Sequence, residues 1–183
     1  MKLLRAPLQI EDIMELSMGD EVLVQGSIYA ARDAAHKNMV QSLENGEGLP
    51  FDIEGQIIYY VGPCPAPPGK IIGSAGPTTS GRMDTYAHLL IAKGLKAMIG
   101  KGPRDQNVIE AMKKYGAVYL ATVGGAGAYL ARCIKDVETI AYPELGPESL
   151  LKMEVQDFPC VVAIDARGND IYRLEKGAEV ADD

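Results

Sequence analysis

The chain has 183 residues, with 18 lysines and arginines against 25 aspartates and glutamates, so its formal net charge is −7. This acidic balance, without any polybasic block, argues against a nucleic-acid surface. No stretch approaches the roughly 20 apolar residues that a membrane span needs, and the N-terminus lacks an apolar segment long enough for a signal peptide. We expect a cytoplasmic protein with one domain over residues 1–183, a short N-terminal extension to about residue 15 and a frayed acidic tail over 179–183.

Strands and helices are expected to alternate through most of the chain. Short apolar runs predict the strands, and apolar residues at i, i+3, i+4 and i+7 predict the helices. The predicted elements are, in chain order, a short strand before residue 10, an acidic helix at Ile10–Leu16, a strand at Glu21–Tyr29, a helix opened by Ala31–Lys37, a strand at Gly55–Val61, a helix at Arg82–Gly94, a strand at Leu95–Gly100, a helix at Asp105–Tyr115, a strand at Ala117–Thr122, a helix opened by 123–128 and a strand at Val137–Ala141. Phe158–Asp165 and Asp170–Tyr172 flank a turn that contains glycine, which predicts a C-terminal β-hairpin. This succession predicts an α/β layered fold with a partly parallel sheet.

The loop before the helix at Arg82 carries the strongest chemical signal. Gly73–Asp84 has the sequence Gly-Ser-Ala-Gly-Pro-Thr-Thr-Ser-Gly-Arg-Met-Asp. Small residues and a proline in front of a helix let the backbone approach a ligand closely. We expect Thr78, Thr79 or Ser80 to cap that helix, and Arg82 offers a planar fork of donors that suits a carboxylate or a phosphate. The pattern predicts an anion site whose ligand is a small acid.

Three further polar side chains stand where predicted strands end or helices begin. Arg32 precedes a helix, a position from which side chains often face a site, and the alternative is a surface arginine paired with Asp33 or Glu44. His36 shares the helix face of Arg32, which would let it act at the site, and the alternative to a catalytic role is a structural hydrogen bond. Lys101 follows a buried strand, and ligands of open α/β sheets bind at the carboxyl ends of strands. The alternative for Lys101 is a solvated lysine before a turn.

The three cysteines, Cys64, Cys133 and Cys160, are widely spaced. They match neither a disulfide framework nor a C-x-x-C metal pattern. Cys133 and Cys160 have apolar neighbours and are expected to be buried small hydrophobes. An iron–sulfur cluster held by all three cysteines is a weaker alternative.

A glycine-rich turn follows the strand predicted at Ala117–Thr122. Its sequence over 123–128 is Val-Gly-Gly-Ala-Gly-Ala, which lacks the G-x-G-x-x-G spacing of a dinucleotide site. We therefore expect these glycines to let the next helix pack closely beside the site rather than to bind a nucleotide.

Several stretches resemble one enzyme family. Gly76–Asp84 resembles the signature of the class I fumarase and tartrate dehydratase family, in its beta subunit or the C-terminal domain of its single-chain members. Ala31–Lys37 (Ala-Arg-Asp-Ala-Ala-His-Lys), Gly100–Gly102 and Tyr142–Gly146 (Tyr-Pro-Glu-Leu-Gly) are similar to further motifs of that family. The resemblance covers about residues 15–175 and implies a swivelling β/β/α domain.

The resemblance also implies residue roles. Thr78 corresponds to the family's proton-transfer threonine. The substrate contacts implied for this chain are Arg32, Thr79, Arg82 and Lys101. Glu144 is a candidate for holding Arg32 or Lys101 in place, with capping of a short helix as the alternative. His36 is expected to support Arg32 from behind rather than to contact the substrate.

The implied reaction is the reversible hydration of fumarate to L-malate by a hetero-oligomer. In this family a 4Fe–4S cluster is held by three cysteines of the partner alpha subunit, so we expect no cluster or metal on this chain and no activity from it alone. One alternative is the beta subunit of an L(+)-tartrate dehydratase, which handles a dicarboxylate with one more hydroxyl group. Another is a dicarboxylate-binding module without catalysis.

Overall fold

The computed structural model describes residues 1–122 and 125–179. The strands within these ranges are β1 (Lys2–Arg5), β2 (Glu21–Ala30), β3 (Ile57–Tyr59), β4 (Ala97–Gly100), β5 (Val118–Ala121), β6 (Ile134–Ala141) and β7 (Leu150–Ile164). The helices are α1 (Ile10–Met14), α2 (Asp33–Glu44), α3 (Asp84–Ala92), α4 (Gln106–Tyr115), α5 (Gly127–Cys133) and α6 (Ile171–Glu179). Short 3-10 helices at Ser80–Met83 and Pro143–Glu148 precede α3 and β7. The predicted alternation of strands and helices through the middle of the chain is confirmed.

The described strands form one sheet in the order β1-β2-β3-β4-β5-β7-β6. Neighbours from β1 to β5 are parallel, whereas β7 runs antiparallel to β2, β5 and β6. At 15 residues, β7 is long enough to pair with β2 along one edge and with β6 and β5 in succession along the other. Val161 pairs with Glu21 on one side and with Ala121 on the other. Strands β2, β3, β4, β5 and β7 therefore close into a ring, and the partly parallel sheet is confirmed.

Each face of the sheet carries its own hydrophobic core, because successive residues of a strand point to opposite sides. In β3, Ile57 and Tyr59 belong to the core that the strands of the ring share, whereas Ile58 belongs to the core beneath α2, α3 and α4. Other members of the first core are Val24, Ile99, Leu120 and Phe158, and other members of the second are Met39, Leu90, Met98, Met112 and Tyr119. Each large side chain buried in this way contributes about 1.5–3 kcal/mol. The two cores establish the predicted β/β/α layering.

The predicted C-terminal hairpin is wrong. Only one antiparallel bridge, between Ile164 and Asp170, joins the two stretches within the described residues, and the chain then continues as α6. The physical reason lies in two carboxylates that accept backbone hydrogen bonds of the turn. Asp165 accepts from the amides of Arg167 and Asn169, and Asp170 accepts from the amide of Tyr172 at the start of the helix.

Residues 2–5, within the expected N-terminal extension, join the sheet as β1, and Lys2 lies opposite Val22 of β2. Two expectations fall on residues outside the described ranges, namely positions 123–124 of the glycine-rich turn and the acidic tail from 180 onward. None of the helices described is long and apolar enough to cross a membrane.

Candidate functional site

The loop that links the third strand to α3 lies across the carboxyl ends of β3 and β4. The amide of Thr78 donates to the carbonyl of Tyr60 at 2.9 Å, and the amide of Ser80 donates to the carbonyl of Lys101 at 2.9 Å. Between them, Thr79 forms a parallel bridge with Lys101. The structure thus brings Thr78, Thr79 and Lys101 together at the edge where ligands bind in open α/β sheets.

Beneath this loop the backbone and side chains are packed without spare room. A Cβ atom on Gly100 would overlap the Ser80 hydroxyl and would lie 3.0 Å from Cδ2 of Tyr60. The Ser80 hydroxyl is buried and lies 2.8 Å from the hydroxyl of Tyr119, which also donates to the carbonyl of Gly102 at 2.8 Å. Glycine is therefore required at position 100 for the loop to approach β4.

The expected helix cap is wrong. Thr79 precedes the 3-10 helix Ser80–Met83 without a side-chain capping hydrogen bond, and α3 begins only at Asp84. Ser80 is not available as a cap either, because it is buried and its hydroxyl accepts from the hydroxyl of Tyr119. Within the described residues the hydroxyls of Thr78 and Thr79 have no hydrogen-bond partner, so both are free to contact a ligand.

An ion pair joins two of the sequence motifs. Nε of Arg82 donates to Oδ2 of Asp33 at 2.9 Å, Nη2 lies 2.8 Å from the same oxygen, and the Arg82 side chain is 53% exposed. Arg32, the residue before α2, lies beside this pair, and its Nε is 3.4 Å from a carboxylate oxygen of Glu148. Gly62 gives Arg32 its space, because a Cβ there would lie 2.8 Å from Cδ of Arg32.

The carboxylate beside Arg32 is thus that of Glu148 rather than Asp33 or Glu44. Glu144, four residues before Glu148, is exposed in the same 3-10 helix, and none of the ion pairs among the described residues joins it to Arg32 or Lys101. The proposed role of Glu144 stays a prediction.

His36 is completely buried behind Arg32. Its Nδ1 lies 2.7 Å from the carbonyl oxygen of Arg32, and its ring stands edge-on to Tyr60 with the centroids 5.3 Å apart. Burial lowers the pKa of His36 to about 4, so the imidazole is neutral near pH 7. Because a carbonyl oxygen can only accept a hydrogen bond, Nδ1 carries the proton and Nε2 is the unprotonated nitrogen. Nε2, like Nε of Arg32 and Oδ1 of Asp33, is buried without a hydrogen-bond partner within the described ranges.

Sequence reasoning missed Arg104, a buried cation that contacts Tyr60, Asp84 and Tyr119. Its side chain is 0% exposed, and its Nε donates to Asp84 Oδ1 at 2.7 Å. Its Nη2 donates to the hydroxyl of Tyr60 at 3.1 Å, and its guanidinium carbon lies 5.2 Å from the ring centre of Tyr60 and 4.9 Å from that of Tyr119. The only local signal is an arginine after a Gly-Pro turn, which also describes many solvated arginines.

The charge state of this buried group follows from its neighbours. Burial lowers the pKa of Arg104, but Tyr60 and Asp84 outweigh that effect and the net shift is upward, so the guanidinium stays charged. Burial raises the pKa of both Tyr60 and Tyr119, so both phenols stay neutral. We call the buried group the floor of the site, and it consists of Tyr60, Ser80, Gly100, Arg104 and Tyr119. We call the accessible group the rim, and it consists of Arg32, Thr78, Thr79, Arg82 and Lys101.

The cysteines do not assemble at the site. Cys133 and Cys160 are buried, as expected, and burial raises the pKa of both thiols. Cys64 is exposed. Within residues 1–122 and 125–179, no group of three or more histidine, cysteine, aspartate or glutamate side chains is placed to hold a metal ion.

The described part of the glycine-rich turn packs beside the loop. The amide of Ala75 donates to the carbonyl of Gly127 at 3.2 Å. A Cβ on Gly127 would overlap the hydroxyl of Ser74 and lie 3.0 Å from the amide nitrogen of Gly76. Gly127 therefore lets α5 begin in close contact with the residues that lead into the rim, as the sequence predicts.

Comparison with known proteins gives the same picture. The family model described as Fumarase C-terminus matches residues 2–175. The chain is 42% identical over 166 residues to an aerobic class I fumarate hydratase of Escherichia coli strain K12, a match that covers 90% of this chain and 30% of that protein. Fumarate hydratase 2 of Leishmania major is 42% identical over 164 residues, covering 88% of this chain and 29% of that protein. The chain thus spans less than a third of these enzymes.

A second kind of relative is of similar length. A Methanocaldococcus jannaschii protein, provisionally named as the beta subunit of an L(+)-tartrate dehydratase, is 39% identical over 168 residues. That match covers 88% of this chain and 86% of the archaeal protein. The family resemblance drawn from the sequence motifs is confirmed, and because the family model spans nearly all of its residues, the chain belongs to the Fumarase C-terminus family.

Proposed function

We propose that this chain is the beta subunit of a two-subunit iron–sulfur hydro-lyase that interconverts fumarate and L-malate by reversible hydration. The observation that carries this proposal is the grouping of Thr78, Thr79 and Lys101 at one sheet edge, on the loop that also carries the Arg82–Asp33 ion pair. The group combines two cationic side chains with two hydroxyls that have no hydrogen-bond partner within the described residues. A small dicarboxylate has the complementary chemistry.

The rim supplies the carboxylate contacts. Arg82 uses Nε and Nη2 on a single oxygen of Asp33, so its guanidinium keeps donors for a second carboxylate. We assign one carboxylate of the substrate to Arg82 and the other to Arg32 and Lys101. Removal of a proton from the carbon beside a carboxylate places negative charge on that carboxylate, and preoriented cations stabilise this charge.

Thr78 is the candidate for moving that proton. Thr78 is half-buried, and its backbone amide donates to the carbonyl of Tyr60 at 2.9 Å. A threonine hydroxyl is a weak base unless a neighbour takes its own proton. Because no such neighbour contacts it within residues 1–122 and 125–179, we assign that neighbour to the partner subunit.

The cysteines of this chain do not suit a 4Fe–4S cluster, since Cys64 is exposed while Cys133 and Cys160 are buried. We therefore assign the cluster to cysteines of an alpha subunit, where it would act as a Lewis acid towards the oxygen that is added or removed. On this proposal the present chain contributes binding, orientation and proton transfer. It is inactive by itself.

The second candidate substrate is tartrate. The observation in its favour is the match to the archaeal protein named for tartrate dehydratase. That match covers 86% of the archaeal protein, so the two chains correspond over most of their lengths. Tartrate also carries two carboxylates and has one hydroxyl group more than malate. The same cations serve both acids, so the substrate must be identified by assay.

The test is co-expression of this chain under anaerobic conditions with the cysteine-bearing alpha subunit from the same genome. Hydration of fumarate and dehydration of tartrate are measured for the purified complex and for each chain alone. We expect turnover only in the mixture. Activity of this chain alone, or no turnover of either acid by an assembled complex with its cluster intact, would overturn the proposal.

A further inference from the structure

Arg104 stands at the end of a turn, yet its guanidinium contacts three separate residues, Tyr60, Asp84 and Tyr119. Both oxygens of the Asp84 carboxylate are held from this turn, one by Nε of Arg104 at 2.7 Å and the other by the amide of Asp105 at 2.8 Å. Asp84 is the first residue of α3 and stands two residues after Arg82. The contact therefore fixes the start of the helix that follows the rim arginine.

The same guanidinium reaches the loop by two further routes. It donates to the hydroxyl of Tyr60, whose backbone carbonyl holds the amide of Thr78. It also lies over the ring of Tyr119, whose hydroxyl lies 2.8 Å from that of Ser80. Three points of the loop, namely its beginning, middle and end, are thus connected to one buried cation.

We propose that Arg104 is a positioning residue, which holds the rim in the geometry that binds the dicarboxylate. The inference rests on the proposed function. Only 6% of Arg104 is exposed, so it acts through Tyr60, Asp84 and Tyr119 and not by touching the substrate. A buried ion pair is often no more stabilising than apolar side chains of similar volume, so fold stability alone does not explain a cation here. The planar guanidinium explains why an arginine stands here, because its N–H donors point in several fixed directions at once.

The first test uses conservative variants. In the complex, Arg104→Lys keeps the charge but loses the fork, and we expect kcat/KM to fall roughly 10²-fold because the rim is displaced. The matched control is Arg167→Lys. Arg167 also donates from two guanidinium nitrogens, to the carbonyls of Met14 and Leu16, but lies away from the site. We expect its kcat/KM to stay within about twofold of the wild type, since only local stability is affected.

The second test separates positioning from charge neutralisation. Arg104→Gln alone leaves the largely buried Asp84 carboxylate without its cation, whereas Asp84→Asn combined with Arg104→Gln removes both charges. We expect the double variant to regain thermal stability over the single one, because no unpaired charge remains. Its kcat/KM should stay roughly 10²-fold low, since the fork is still missing. Recovery of kcat/KM in a stable double variant would show that Arg104 only neutralises Asp84, and the inference would be wrong.

A third readout does not depend on activity. Hydrogen exchange of the Thr78 and Ser80 amides, measured on this chain, is expected to be about tenfold faster in Arg104→Lys than in the wild type, because the loop is held less firmly. The Arg167→Lys chain should exchange these two amides at the wild-type rate. Unchanged exchange in Arg104→Lys overturns the inference. If the wild-type complex turns over neither acid, the proposed function fails, and the exchange result still decides whether Arg104 holds the loop.

Discussion

The floor and the rim of the candidate site are built in opposite ways. In the floor, Ser80, Tyr119 and Arg104 are buried and contact one another or their neighbours at hydrogen-bond or ring-stacking distance. In the rim, Lys101 and Thr79 are exposed, and the latter has no hydrogen-bond partner for its hydroxyl among the described residues. Members of the two groups can be neighbours in the chain, since Ser80 follows Thr79 and Gly100 precedes Lys101. The difference between the groups is therefore one of depth.

On the proposed function, this contrast prepares the site before its ligand and partner bind. A rigid, fully bonded floor removes the freedom of the loop in advance, which lowers the entropy lost when a ligand binds. The rim keeps donors and hydroxyls accessible for that ligand. The contrast predicts that rim substitutions reduce activity without loss of stability and that floor substitutions reduce both.

The largest effect is expected for Thr78→Val, which removes the rim hydroxyl and keeps the shape of the side chain. If Thr78 moves the proton, kcat of the complex falls by about 10²–10⁴-fold, because that is the usual contribution of a general acid or base. The control Thr139→Val changes an exposed threonine of β6 and should leave kcat unchanged. Equal activity of the two variants would remove Thr78 from the reaction.

Arg82→Lys replaces a bidentate donor of the rim by a point charge. We expect kcat/KM of the complex to fall by about 10²–10³-fold, because a lysine cannot reproduce the fork that holds the developing carboxylate charge. Urea unfolding of the chain should show little change, since the Arg82 side chain is 53% exposed. Arg5→Lys, at an exposed position of β1, is the matched control. Wild-type kinetics in Arg82→Lys would place this arginine outside the site.

The pH dependence of the free energy of unfolding tests the burial of His36, which lies behind the rim residue Arg32. Burial lowers the pKa of His36 from 6.5 to about 4, so between these values the unfolded chain binds more protons than the folded one. The free energy of unfolding therefore falls as the pH drops from about 6.5 to about 4, by about 3 kcal/mol from this group. His36→Gln should lack this part of the slope in urea titrations, whereas His88→Gln should retain it. Parallel pH profiles for wild type and His36→Gln would contradict the assignment.

Gly100→Ala introduces a methyl group into the floor. Because its Cβ would overlap the Ser80 hydroxyl and press on Tyr60, we expect a loss of about 1–3 kcal/mol in the free energy of unfolding, as for other overpacked positions. Activity of the complex should fall as well, since the loop is pushed away from β4. The control Gly48→Ala adds a methyl group with nothing within 4 Å. Equal stability of the two variants would mean that Ser80 and Tyr60 move to make room for the methyl group at little cost in free energy.

The smallest effect is expected for Glu148→Gln, which removes the carboxylate beside Arg32. The pair is partly exposed and separated by 3.4 Å, so its removal should cost less than about 1 kcal/mol and change KM less than about fivefold. Glu144→Gln is the informative companion, because the sequence motifs indicate Glu144 as the supporting residue. A larger change in KM from Glu144→Gln than from Glu148→Gln would favour Glu144 and reduce the importance of the observed contact.

Prediction from the sequence succeeded where structure depends on nearby residues. Short apolar runs located β2 and β4, and the period of apolar residues located α3 and α4, because these patterns are local properties. It failed at the C-terminal hairpin, where Asp165 and Asp170 bind turn and helix amides and start α6 instead. Carboxylates beside a glycine suit both a hairpin turn and a helix start, so the local pattern does not decide between them.

The candidate site divides in the same way. The rim residues lie in short motifs, and their roles in catalysis stay predictions that the variants above test. The floor residue Arg104 gave no specific signal, because its burial depends on Tyr60, 44 residues earlier in the chain, and on Asp84, 20 residues earlier. The carboxylate that pairs with Arg32 is a similar case. The sequence motifs indicate Glu144, whereas the glutamate in contact with Arg32 is Glu148.

By itself, the sequence determined the order of most strands and helices, the layered α/β class, the family and the loop that carries the rim. These properties follow from local periodicity and from motifs a few residues long. Only the tertiary structure decided that β7 closes the sheet by pairing with β2, β5 and β6, and that Arg104 is buried against Tyr60 and Asp84. The physical reason is that closure and burial depend on contacts between distant residues, whose free energies no local pattern encodes.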